Sequence, residues 1–168
     1  MGRINSKNKG STFERKIVNM LNDWVDNKEA FHRCPMSGAL HWSNDKRVIS
    51  DIVPSQELID KGWSVSIECK KVETPWEISN FLEGTSMTLK SHWKQAVEDS
   101  EREGGLIPLL VFSKNRRRIY SMLQLDAFNK LKLKDLNHIE LYVDGVEVAI
   151  VDFELLLKNT NLEDFCKK

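Results

Sequence analysis

Residues 63–73 read WSVSIECKKVE, and this stretch decides the fold. Side chains along a strand point alternately to its two faces. Val65, Ile67 and Cys69 therefore line one face, while Ser64 and Ser66 begin the other, which ends in Glu68 and Lys70. A half-buried strand that closes with an acid beside an amine calls for a reason beyond packing.

Working outward, RVISDIV (47–53) reads as a neighbouring strand, and PSQELIDKG (54–62) as a turn-rich connection. LIPLLVFS (106–113) is the best buried-strand candidate in the chain, and RRRIYSML (116–123) its antiparallel partner. IELYVDGVEVAIV (139–151) predicts a hairpin around Asp144-Gly145, which suits a type I′ turn, with a short helix following from Asp152. Near the front, Phe13, Ile17, Leu21 and Trp24 recur at helical spacing behind a possible cap at Ser11, and residues 30–34 suit a short strand before Pro35. Residues 76–103 are helical in character, broken near Gly84, with Trp93, Ala96 and Val97 as a packing face. The order of helix, strands, helix, strands predicts an α/β fold: a central mixed β-sheet flanked by helices in one domain over 11–168, preceded by a flexible basic arm over 1–10.

The chain has 168 residues, 40% apolar and 30% charged, an ordinary globular mix with room for one substantial core. No apolar run approaches the roughly 20 residues that span a bilayer, and MGRINSKNKG does not read as a secretory signal. Cys34, Cys69 and Cys166 are odd in number and far apart, which argues for a reducing cytoplasm rather than a disulfide framework. Net charge is zero, yet the chain up to Arg47 carries nine Lys/Arg against five acids, a front able to meet phosphates locally.

Asp51 stands alone among apolar neighbours, where a carboxylate costs several kcal/mol unless paired or holding a cation. Two readings stay open from these residues. Asp51 and Glu68 gather at one sheet edge around a hard divalent cation, with Lys70 serving water or phosphate; or Asp51 simply pairs with Lys70 in a structural salt bridge.

Asp51 followed by Glu68-Cys69-Lys70 resembles the signature of the PD-(D/E)xK nuclease superfamily. The succession NKGSTFERKIVNML, FHRCPMSGAL, SDIVP, SIECKK, HWKQA and PLLVFSKN, over roughly residues 7–122, resembles the archaeal-type Holliday junction resolvases and their phage-encoded relatives. The resemblance implies a restriction-endonuclease-like core and a Mg²⁺-dependent endonuclease (Mn²⁺ substituting) that acts on four-way junction DNA as a homodimer, in the host cytoplasm if phage-encoded. It implies metal ligation by Asp51, Glu68, Glu14 and the Cys69 carbonyl, a catalytic Lys70, Ser37 near the scissile phosphate, and Gln95 as a polar residue behind the site. Ser50 stands where the superfamily name expects proline. Ser11-x-x-Glu14 also fits a capping box, which would make Glu14 structural. Lys7, Lys9, Arg15, Arg33, Lys71, Arg116 and Arg117 are candidate DNA contacts, together with Gln95. The four histidines show no ligand spacing and read as structural. Two surfaces are candidates for the dimer, the helix around Trp93, which is favoured, and the hairpin with Leu141, Val143, Val146 and Val148. The rival functions are another task on the same nuclease fold (nicking, restriction or flap repair) and a non-catalytic DNA-binding module.

Overall fold

A computed structural model describes residues 6–34, 49–72, 87–114 and 117–167; the side chains of residues 6–9, 72, 87 and 88 are outside that description. In chain order the elements are α1 (Ser6–Trp24), β1 (Phe31–Arg33), β2 (Ile52–Pro54), α2 (Gln56–Asp60), β3 (Val65–Val72), α3 (Met87–Arg102), β4 (Ile107–Lys114), β5 (Ile119–Gln124), α4 (Leu125–Lys130), β6 (His138–Val143), β7 (Val146–Asp152) and α5 (Phe153–Lys158). A 3₁₀ turn, Leu162–Phe165, follows. The strands form one sheet in the order β1-β2-β3-β4-β5-β7-β6. Among the described strands only β3 and β4 run parallel, with Glu68 opposite Leu110, and α3 precedes β4 on the path between them.

The alternation of β3 sorts the molecule into layers. Val65, Ile67 and Cys69 join Phe13, Ile17 and Leu21 of α1 in the larger core, which also takes Phe128 of α4 and Phe153 and Leu156 of α5. The opposite face packs Leu110, Phe112, Met122 and Ile150 against Leu89, Trp93 and Ala96 of α3. The expected α/β architecture, a mixed sheet between helices, is present. Trp93, however, is 2% exposed in that second core. Uncovering it would forfeit on the order of 4 kcal/mol of buried aromatic surface, so it is core and not a dimer surface. The large apolar side chains left exposed among the described residues are Ile139, Tyr142 and Val146, all on the C-terminal hairpin.

Several local readings change. The first helix starts at Ser6 rather than at a Ser11 cap, so residues 6–10 of the expected basic arm form its opening turns. Once Phe13 to Trp24 is helical, each residue added at its front gains a hydrogen bond without a new nucleus, and the polar SKNKG run does not forbid this. Ser11 accepts a bond from Arg15 (2.8 Å) and caps nothing, which removes the capping-box role for Glu14. The turn-rich connection contains α2, capped by the Ser55 hydroxyl accepting from the Leu58 amide and anchored by buried Leu58. The strand expected over 47–53 is only Ile52–Pro54; residues 49–51 bend away from it, and 47 and 48 lie outside the described residues.

The hairpin reading is met in detail. Asp144 and Gly145 have φ of 50° and 88°, the paired positive values of a type I′ turn. Asp152 then caps α5, accepting from the Glu154 and Leu155 amides. The chain's end returns to the front of β3, where Ser64 donates to the Phe165 carbonyl and Lys167 to that of Gly62. Gly62 has φ +90°, and an added Cβ would sit 2.5 Å from the Lys167 carbonyl oxygen. Gly62→Ala is therefore expected to cost about 2 to 3 kcal/mol, from left-handed strain plus a backbone clash, read as a lower denaturant midpoint. An unchanged midpoint would show that this tail is not docked.

Candidate active site

Glu68 and Lys70 project from β3 toward α3, on the face opposite Cys69. The Lys70 ammonium lies 2.6 Å from Glu68 Oε1, and the Gln95 amide of α3 donates to the same oxygen at 2.9 Å. The salt-bridge alternative thus takes another form: the partner of Lys70 is Glu68, not Asp51. Asp51 is fixed by backbone instead. Its Oδ2 accepts the Cys69 amide at 2.9 Å, and its own carbonyl accepts the Cys34 amide at the end of β1, also at 2.9 Å. Among the described residues, neither Asp51 Oδ1 nor Glu68 Oε2 has a hydrogen-bond partner.

Both carboxylates are buried, Asp51 at 7% and Glu68 at 3% exposure. Burial, followed by the neighbouring Asp51, raises the Glu68 pKa to about 8 against the pull of Lys70. Burial alone would lower the Lys70 ammonium, but Glu68 beside it more than offsets this and holds it charged. Two further acids of α3 and its end stand behind the pair. Asp99, 5% exposed, receives Arg102 at 3.0 Å and Gln95 at 3.5 Å. Glu103 accepts the Ser50 amide at 2.9 Å. Burial raises the pKa of both.

Among the described residues, Asp51, Glu68, Asp99 and Glu103 are paired with Lys70 and Arg102, an excess of two negative charges when all are ionised. Hard carboxylate oxygens in a buried, electronegative recess suit a divalent cation such as Mg²⁺, which takes one or two carboxylates and keeps several waters. Among the described residues no group of three or more Asp, Glu, His or Cys side chains is gathered tightly enough to hold a metal, so the ligands in view are Asp51 and Glu68. Glu14, the third acid named from the sequence, is close enough to influence Cys69 but is ion-paired with Arg33. The Cys69 thiol is buried in the larger core and its pKa is raised well above normal by that burial, so only its carbonyl is available as a ligand.

The remaining candidates separate. Gln95 is exposed and reaches the cluster through its amide. Lys71 lies on the opposite face of β3, over the Phe13 ring at 5.3 Å and within reach of Ser113 and the Lys114 carbonyl. Arg33 is engaged with Glu14. Arg15 and Arg117 are exposed, while Arg118, next to Arg117 in sequence, pairs with Asp152. Lys7 and Lys9 are in α1, their side chains outside the described residues, and Ser37 and Arg116 also lie outside them. His92, read as structural, has its pKa lowered by burial and then by nearby Lys70, which places it beside the site. Asp99 and Glu103 were not singled out from the sequence. Their signal was position: Trp93, Ala96, Ser100 and Glu103 continue one helical stripe, so acids there turn inward.

No helix among the described residues is long and apolar enough to cross a membrane. No curated protein and no solved structure matches the chain. Its family does: the model described as "Phage putative PDDEXK endonuclease" matches residues 5–167, nearly the whole chain, and the protein belongs to that family.

Proposed function

We propose that this endonuclease-family protein cleaves phosphodiester bonds in branched DNA with Mg²⁺ (Mn²⁺ substituting), resolving four-way junctions by paired nicks as a homodimer. The observation that carries the catalytic reading is the convergence of the buried Asp51 and Glu68 carboxylates and the Lys70 ammonium at one sheet edge. A non-catalytic binder has no use for that trio. The junction substrate rests on the resemblance of the motif succession to resolvases, and the host cytoplasm on the same likeness.

The roles follow from the geometry. Asp51, pinned by the Cys34 and Cys69 amides, and Glu68, oriented by Gln95, would hold the cation, with the Cys69 carbonyl beside them. When bound, the cation supplies charge for a phosphoryl oxygen and acidifies a water. Lys70, kept charged by Glu68, stands where its ammonium can donate to a scissile phosphate oxygen or orient the attacking water. Exposed Arg15 and Arg117, with Lys7 and Lys9, supply backbone contacts that position DNA without reading its sequence. Two cuts related by a two-fold need two such sites, and the exposed Ile139, Tyr142 and Val146 make the hairpin the surface for the second copy.

The test compares a labelled four-way junction with a linear duplex of the same arm sequence in Mg²⁺. Paired nicks in the junction and at least a tenfold slower cut in the duplex are expected. Equal rates on both would reject the junction assignment and leave a general nuclease.

A further inference from the structure

The bend that carries Asp51 continues the β1–β2 pairing but is held sparsely on its β3 side. β2 is three residues long and meets β3 through a single register pair, Ile52 with Ile67. Among the described residues the bend is held to its surroundings by the Cys34 amide to the Asp51 carbonyl, the Cys69 amide to Asp51 Oδ2, and the Ser50 amide and hydroxyl to the Glu103 carboxylate. In the first two the partner is backbone. In the Ser50 bonds the partner is the Glu103 side chain.

Its placement is set by the end of α3. The Gly104 amide returns to the Glu101 carbonyl (3.1 Å) and the Gly105 amide to that of Ser100 (3.0 Å), a Schellman ending in which Gly104 and Gly105 take φ of 101° and 76°. Glu103 is thereby the last residue before the reversal, and its carboxylate reaches the bend and the Ser66 hydroxyl on β3. A helix C-terminus disfavours an anion, and burial adds to that cost. Helix chemistry therefore does not account for a glutamate here; what it accepts across the gap does.

We propose that Glu103 is a positioning residue, holding the Ser50–Asp51 bend so that the Asp51 carboxylate is turned toward Glu68. The inference rests on the metal-site reading above. Ser50 fits the device, since a proline at that position would have no amide to give.

Shape and charge make opposite demands on the substitutions. Glu103→Gln keeps an acceptor oxygen at the same reach and loses the charge; Glu103→Asp keeps the charge and withdraws the oxygen by one methylene. Mn²⁺ binding to each purified protein, followed by the electron paramagnetic resonance of the free ion, gives a readout independent of cleavage. Thermal melts and amide exchange at Ser50 accompany it. Glu103→Asp and Glu103→Ala should weaken Mn²⁺ binding by about tenfold or more, the usual cost of removing an outer support, and speed Ser50 exchange. Glu103→Gln should stay within about threefold of wild type. If the Ala protein does not fold, the Asp and Gln pair decides. Gln as weak as Asp would overturn positioning in favour of charge, and wild-type affinity in the Asp variant would overturn it outright. Absence of Mn²⁺ binding by the wild type, or unchanged binding in Asp51→Asn, would instead overturn the metal reading and this inference with it.

Discussion

Asp51→Asn and Glu68→Gln should each lose about a thousandfold in DNA cleavage at saturating Mg²⁺, while still binding DNA. Each change removes a hard anionic ligand from a site with two such ligands in view, and the cation's transition-state charge is worth several kcal/mol. A loss of about 4 kcal/mol is roughly three orders of magnitude in rate. DNA binding should persist, or tighten slightly, because the substitution removes negative charge near a phosphate path. Lys70→Ala should lose about a hundredfold or more, in the range found when one donor to developing charge is deleted. Gel assays of a labelled junction, with melts to confirm folding, read all three. Cleavage within tenfold of wild type in either carboxylate variant would remove that residue from the site.

The second large effect is on stability. Glu68 titrates near 8 in the fold and near 4.5 when unfolded, because burial and Asp51 oppose its charge. The folded state then binds the proton more tightly, so the unfolded state gains relative stability as pH rises between those values. This contribution is fully present below pH 4.5 and lost by about pH 8. The full shift would be on the order of 5 kcal/mol. That shift already includes the pull of Lys70, so the Glu68→Gln variant should exceed metal-free wild type by on the order of 5 kcal/mol at pH 9. For a chain of this size that is about 10 to 20 °C in Tm. Near pH 5 the advantage should vanish. Mg²⁺ should restore wild-type stability at pH 9 and leave the variant unmoved. Melts in chelator across this range that run parallel for the two proteins would refute the account of Glu68.

How much of this was legible depends on the physics behind each element. β3 could be read because period-two alternation places Glu68 and Lys70 on one face whatever surrounds them. The hairpin could be read because Asp144-Gly145 suits a turn with two positive φ values. The length of β2 could not. The Ser50 amide just before it is held by Glu103, a contact 53 residues away in sequence that no local pattern reveals. α2 was hidden in a segment bounded by Pro54 and Gly62, although Ser55 before an apolar Leu58 was a usable capping signal. At the site, Asp51, Glu68, Lys70 and Gln95 were recoverable from spacing and resemblance. The engagement of Glu14 by Arg33 and the inward turn of Asp99 and Glu103 needed the helices in place. Trp93 and Ala96 were legible as packing residues because they recur at helical spacing, and both are buried against the sheet.

The most direct test of the central claim is cleavage of one labelled four-way junction by the wild-type protein, first in excess chelator and then after Mg²⁺ is restored. The account predicts no detectable product in chelator and paired nicks once Mg²⁺ is returned. Undiminished cleavage in chelator would contradict it.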